Sequence, residues 1–502
     1  MAKLQKMPSI AGGQARHVYD ALVLGGQLGG ALAAAVLAKR GYRVLLVEHD
    51  GMGPGYEHDG FLLPYAPFVA PGLKAMPAVE EAFTELALTT PLQRALKPLT
   101  PALQLVLPRH RIDLHADPAR TLAELRRELG DEGPQVATTL SGLGAYHEQS
   151  DAFFKEPVEL PPDGFLQKWK LGGIIKRYPG LSAPLPQLGS ERLGPLIQKL
   201  LPFLTYQSAA QTELARGRPL AHALTSPGRF PGGREGLREL LLKRLTELGG
   251  VVMGRDGGDG FVAESLAFEG NTLVGVKLLQ SDNVYRASCV VTATDAGAMR
   301  RLIEDKKRHR KLLEQLDQST TRQFLFTVNW VVPTDALPRG MGEQLLVQLD
   351  DELGAMLVQV HPARRTAKGE DESLRVVCAG AFVPSNVREL GEAHLKTLSE
   401  KLNGHLDALM PFARQQAVLT SAPYLDAGGV RGSRLLPHPL FDVDAEQRLG
   451  VEGLKQRTAI KNLFLANREV LPGLGLEGEF LAGLRVARLV QEALPKSNPL
   501  GR

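Results

Sequence analysis

The sequence predicts an α/β protein whose central sheet is assembled from separated stretches of chain, on three observations. Residues 19–50 read as one strand–helix–strand unit interrupted by a glycine-rich turn. An apolar strand at 289–292 ends in the polar run Thr292, Ala293, Thr294, Asp295. A last apolar strand at 463–466 enters a second glycine-rich turn and a closing helix. Together they describe a Rossmann-like dinucleotide-binding domain built from discontinuous segments. The stretches between them describe a substrate domain with a mixed or antiparallel sheet and helices. At 502 residues the chain is too long for one simple core.

The first unit carries the most information. Tyr19 to Leu24 is a continuous apolar run, as a parallel strand covered on both faces requires. Gly25 to Gly30 forms the turn, Ala31 to Arg40 an alanine-rich helix, and Gly41 stops it. Val44 to Val47 is the second strand, and Glu48 ends it. An acid at that place accepts hydrogen bonds from an adenosine ribose, while the helix N-terminus faces a diphosphate. The G-x-G-x-x-G pattern asks for glycine at 25, 27 and 30, but position 27 is Gln27. A side chain at the middle position predicts backbone strain of about 1–3 kcal/mol.

Beyond Glu48, a Gly/Pro-rich stretch leads to a short strand at 61–63, and 76–135 reads as helical with a strand insertion, PRHRIDLH. His110 and His115 lack companions at ligand spacing and read as surface residues. Residues 150–225 are rich in proline and leucine. Leu193, Leu196, Ile197, Leu200 and Leu201 recur at helical spacing there, as a helix packed on the sheet or as a lid or membrane-resting helix around an apolar substrate channel. FPGGREGLRELLLKRLTELGG returns to α/β character, followed by a hairpin and the strand ending at Ala293, Thr294 and Asp295. Polar groups at such a strand's carboxyl end face the ligand crevice. KKRHRK (306–311) is a basic run on a helix. Four strand-like runs follow from 321, then a helix at 390–411 and a closing helix at 480–493.

Bulk properties narrow the classes. A net charge of +4 is too small for a nucleic-acid signature and allows mild attraction to anionic surfaces. Cys289 and Cys378 sit in apolar strands and read as buried thiols of a reducing compartment. No run of eighteen apolar residues is present. The expectation is a cytoplasmic protein, with peripheral contact at the inner membrane face as the one departure. The expected division is a tail at 1–18, dinucleotide-binding segments at 19–80, 226–320 and 456–502, and substrate-domain segments at 81–225 and 321–455.

The order of these motifs resembles the FAD-dependent phytoene desaturase and carotenoid isomerase group, within the amine-oxidase-like flavoproteins. The resemblance covers residues 19–495. It rests on DALVLGGQLGGALAAAVLAKRGYRVLLVEHD, FPGGREGLRELLLKRLTELGG, ASCVVTATDAGAMRRLI and KNLFLANREVLPGLGLEGEFLAGLRVARLV. It implies FAD, with Gly25, Gly26, Gln27, Leu28, Gly29 and Gly30 at the diphosphate turn and Glu48 with His49 at the ribose. It implies Val262 or Ala263 in the strand beside the adenine, and Ala293 and Thr294 at the crevice. Arg468 and the turn Gly475, Leu476, Glu477, Gly478 would meet the flavin, the helix N-terminus favouring its negative reduced form.

Four features depart from the family pattern: Gln27, the lack of an arginine after Glu48, Arg468 in place of an acid, and Glu477 in place of a small residue. The resemblance implies hydride removal from, or isomerisation of, an extended apolar, polyene or lipid-like small molecule, with no nucleic-acid partner. Two alternatives stand beside it. One is a catalytically silent relative serving as a scaffold or as a membrane- or partner-binding protein. The other is NAD in place of FAD, against which the C-terminal motif argues. The residues themselves name no catalytic acid or base; Tyr65, Arg468 and Glu477 are the weak candidates.

Overall fold

In the computed structural model the described residues are 18–49, 55–72, 76–156, 158–182, 191, 193–210, 212–225, 227–254, 263–279, 283–367, 369–426 and 436–495. The first strand, Val18–Leu24, pairs in parallel with Val44–Val47 on one side and with Val284–Thr292 on the other. Val251–Met253 extends the sheet beyond Val44–Val47, and Leu463–Leu465 pairs with the carboxyl half of Val284–Thr292. The antiparallel hairpin Ala263–Glu269 and Thr272–Leu278 occupies the opposite edge. Strands whose paired residues are 268 positions apart in sequence, Val18 with Arg286, therefore lie side by side, which is what an interrupted dinucleotide fold requires.

Alternation in the strands explains why both faces are apolar. Ala21, Val23, Val44 and Leu46 point to one core, with the helix Leu28–Lys39, the helix Gly233–Glu247 and the closing helix Gly475–Ala493. Leu22, Leu24, Leu45 and Val47 point to the other, with Leu171, Ile174 and the hairpin. The closing helix begins at Gly475, five residues earlier than the sequence pattern suggests, because the glycines there are taken into its first turn.

The second sheet follows the order Leu419–Ser421, Ser319–Pro333, Gly369–Pro384, Ala355–Arg365, Gln344–Gln348, Leu103–Val106, Arg111–Leu114. It is antiparallel except where Gln344–Gln348 runs parallel to Leu103–Val106. The strand-like runs after 321 thus form one mixed sheet, with PRHRIDLH supplying its edge. Leu193, Leu196, Ile197, Leu200 and Leu201 are all buried against this sheet, so the helical stripe there is core and not an outward lid. Cys289 and Cys378 are buried free thiols. Among the described residues no helix is long and apolar enough to cross a membrane.

Candidate functional site

The glycine turn is clamped by backbone. The Gly25 amide donates to Val47 O at 2.8 Å, and its φ is +96°. A Cβ on Gly25 would lie 2.8 Å from the Thr294 nitrogen, so the turn needs glycine to seat against the strand end at Ala293. Ala293 in turn packs on Gly30. Thr294 is fully buried, and Asp295, one residue on, is the member of that run which reaches the crevice.

Gln27 is unstrained, contrary to expectation: its φ of −63° and ψ of 160° are ordinary extended backbone. The middle glycine of G-x-G-x-x-G answers to the close approach of a diphosphate, not to backbone geometry. The Gln27 Nε2 donates to Asp295 Oδ1 at 2.9 Å, and its buried Oε1 has no hydrogen-bond partner among the described residues. Asp295 also accepts from Arg468 Nη2 at 2.9 Å. The Arg468 guanidinium lies 5.4 Å from the centre of the buried Tyr206 ring.

Glu48 ends its strand as expected but is already engaged. Arg238 Nη1, on the helix Gly233–Glu247, lies 2.9 Å from Glu48 Oε1, and both side chains are buried. A Cβ on Gly26 would sit 3.0 Å from that same nitrogen. Arg238 thereby brings a guanidinium against the glycine turn, where the segment after Glu48 carries none. His49 is buried beside it, and residues 50–54 lie outside the described residues. Arg234, one helical turn before Arg238, pairs with the buried Glu479 at 2.7 Å. Their i, i+4 spacing after Pro-Gly-Gly is the sequence signal that would have placed both on the turn-facing side.

Of the two residues expected beside the adenine, one falls within the described residues. Val262 lies outside the described residues, and Ala263 opens the hairpin at the far edge of the sheet. The strand beside Glu48 is Val251–Met253, whose Met253 carbonyl accepts from the Glu48 amide at 2.9 Å. Sheet order, which a single sequence does not reveal, sets which strand flanks Glu48.

The C-terminal turn also lies differently from expectation. Gly475, Leu476, Glu477 and Gly478 are buried. A Cβ on Gly475 would fall 1.8 Å from Leu204 O, and one on Gly478 would fall 2.1 Å from Leu471 O. The Tyr206 amide donates to Pro472 O at 2.8 Å, so residues 204–206 cover the turn. Glu477 makes two 2.6 Å contacts with Arg218 and is enclosed. Arg468 does line the crevice, while the adjacent Glu469 turns inward to accept from the Ala296 amide at 2.6 Å and from Ser319 Oγ. Burial and nearby Asp295 push the Glu469 carboxyl up to about 8.

These groups surround a cavity of about 450 Å³. Gly26, Gln27, Arg234, Arg238, Asp295 and Arg468 line its end at the glycine turn. Tyr65, Phe68, Phe324, Leu436 and Pro437 line much of the rest, together with the polar Glu235, Arg301 and Thr321, and His438 is on the wall. His438 Nε2 lies 2.8 Å from both Pro202 O and Thr205 O, so that nitrogen carries a proton and donates. Among the described residues no His, Cys, Asp and Glu cluster could hold a metal. His110 sits 3.1 Å from Glu128 on a hairpin edge.

A pH dependence follows from two imidazoles. Desolvation holds His438 and His361 down to about 4, although each keeps a partly exposed edge. With folded values below the unfolded value near 6.5, the unfolded chain binds more protons as pH falls. Stability is therefore full above about pH 6.5 and is lost toward pH 4, by up to about 1.4 kcal/mol per pH unit for each histidine. Replacing His438 by asparagine, which tolerates its φ of +50°, removes one of the two contributions. Urea midpoints at pH 7.5 and 4.5 check this: the wild-type difference should shrink in His438→Asn.

Residues 23–86 match the family model of the NAD(P)-binding Rossmann-like domain. Similar solved structures span nearly the whole chain. An oxidoreductase from Methanosarcina mazei is 14% identical, with 93% of this chain and 99% of that chain covered and a TM-score of 0.56. Cyclohexylamine oxidase from Brevibacterium oxydans is 14% identical, with 95% and 100% covered and a TM-score of 0.53. A putrescine oxidase variant made to redesign cofactor binding is 14% identical, with 94% and 99% covered and a TM-score of 0.56. The chain thus has a Rossmann-like domain within the fold of these oxidoreductases. No curated protein matches the sequence.

Proposed function

We propose that this protein is an FAD-dependent oxidoreductase acting on an extended apolar, polyene or lipid-like substrate. The observation that carries the reading is the cavity itself, which starts at the glycine turn among arginines and continues past Tyr65, Phe68, Phe324 and Leu436, with Arg301 and Thr321 as polar points on the way. A molecule whose diphosphate leads on to a flat ring system matches that gradient of chemistry. The site's own chemistry supports a diphosphate through the Arg238 guanidinium over Gly26, while the orphaned Gln27 Oε1, an acceptor, calls for an N–H or O–H of the ligand.

In this reading the amides opening the helix Leu28–Lys39 and Arg238 would hold the diphosphate. Glu48, relieved of Arg238, would hold the ribose. A bound flavin supplies the capacity to accept a hydride. The protein's share is to orient the substrate along Phe68, Phe324 and Leu436 and to keep water out. The family-type pyrimidine contact would differ, since Leu204 covers Gly475.

The test is the visible absorption spectrum of purified protein before and after incubation with FAD and gel filtration. A retained flavin band is expected, and in Arg238→Ala the dissociation constant should rise at least about tenfold, the equivalent of about 1.4 kcal/mol. A protein that stays colourless at saturating FAD overturns the reading. The covered C-terminal turn and the Arg218–Glu477 pair specifically favour a second reading in that event, a catalytically silent scaffold.

A further inference from the structure

The helix Gly164–Ile175 has apolar residues on both sides. Leu171 and Ile174 are buried in the core behind the first sheet. On the outer side Phe165, Leu166 and Trp169 are 81%, 78% and 74% exposed. With aromatic side chains of about 150–250 Å² each, these three present on the order of 400 Å² of apolar surface from a single turn of helix. A surface helix ordinarily gives that side to polar residues.

The surrounding charge selects the occupant. Every charged residue from 164 to 177 is basic: Lys168, Lys170, Lys176 and Arg177. Lys168 is paired with Glu446 and Arg177 with Glu156. Lys170 and Lys176 are exposed and make no ion pair among the described residues. Asp163, just before the helix, pairs with Lys455. Lys170 stands one turn from Leu166, so its stem lies along the apolar stripe while its ammonium reaches past it. Bulky aromatic and aliphatic side chains framed by unneutralised lysines are complementary to the acyl–headgroup boundary of an anionic bilayer.

We infer that the outer face of the helix Gly164–Ile175 docks this protein on an anionic lipid surface, with Phe165, Leu166 and Trp169 inserted and Lys170 and Lys176 at the headgroups. The helix is too short to span, so the contact is interfacial and reversible. It lies apart from the cavity and does not depend on which cofactor that cavity takes.

The chain has two tryptophans, which makes the test direct. Trp330 is fully buried, with Nε1 donating to Asn403 Oδ1 at 2.8 Å, so a change in tryptophan emission on binding reports Trp169. Full-length protein is titrated with phosphatidylcholine vesicles with and without about one third phosphatidylglycerol. The expected result is a blue shift and co-sedimentation with the anionic vesicles only, weakened severalfold as salt rises from about 0.1 to about 0.5 M. Phe165→Ser, Leu166→Ser and Trp169→Ser combined should lower vesicle binding more than tenfold, read by co-sedimentation. Lys170→Glu with Lys176→Glu should lower it severalfold at unchanged far-UV circular dichroism. The inference is overturned by equal binding to both vesicle types, or by no binding at all. Wild-type protein that ignores vesicles but self-associates through this face, becoming monomeric in the triple variant, would instead make the patch a protein interface.

Discussion

Replacing Arg218 by methionine costs about 3–5 kcal/mol of stability. Arg218 is fully enclosed, and its Nε and Nη2 each meet a Glu477 oxygen at 2.6 Å. Its Nη1 donates to Asp151 at 2.8 Å, and the guanidinium lies 4.6 Å from the Phe154 ring centre. Methionine keeps much of the volume but strands the Glu477 carboxylate, which is 1% exposed. The positive end of the closing helix offsets only part of that loss. Glu477→Leu alone should cost a comparable amount or somewhat less, since the arginine loses both Glu477 contacts but keeps Asp151. Combining Arg218→Met with Glu477→Leu should recover most of the loss, because a buried pair exchanged for apolar groups is near neutral. Urea unfolding of the four proteins measures this double-mutant cycle; additive losses would mean that the two residues are not energetically coupled.

Gly29→Ala should be nearly as damaging, about 3 kcal/mol or more, although it adds one methyl group. The added Cβ would stand 2.4 Å from Ala466 O and 2.7 Å from Glu479 O. Both are backbone atoms, so relief means moving the helix Leu28–Lys39 away from a strand and from the closing helix. The opposing Gly483 is equally constrained, since its Cβ would lie 2.2 Å from Gly29 O. Gly29→Ala and Gly483→Ala push the same two helices apart, so the double variant should lose less than the sum of the singles. Gly404→Ala, in the helix Gly391–Leu409, meets nothing within 4 Å and should gain up to about 1 kcal/mol from helix propensity. Thermal unfolding separates the two kinds of glycine, and equal effects at Gly29 and Gly404 would refute the packing account.

The glycines also show where local reading succeeds and where it stops. Gly25 is legible because a tight strand-to-helix turn needs its φ of +96°. Gly475 and Gly478 fit a cofactor turn equally well in sequence, yet their backbones meet Leu204 and Leu471 carbonyls of this chain. A glycine records a close approach without naming what approaches. Glu48 is a similar case: its position follows from the strand it ends, but its partner Arg238 is 190 residues away.

The sequence by itself determined the architecture: apolar runs at 19–24, 44–47, 289–292 and 463–466 have the length and pattern of covered parallel strands, and long runs after 321 make a second sheet. Those signals are local, because burial of both faces imposes its pattern on each strand separately. Tertiary structure alone decided which strand lies beside Glu48, that Arg234, Arg238 and Arg468 converge on the glycine turn, and that Arg218 encloses Glu477. It also decided that the stripe at 193–201 faces inward and that Phe165, Leu166 and Trp169 face outward. Side-chain periodicity says that a helix has an apolar face; only the packing of distant segments decides whether protein or solvent meets it.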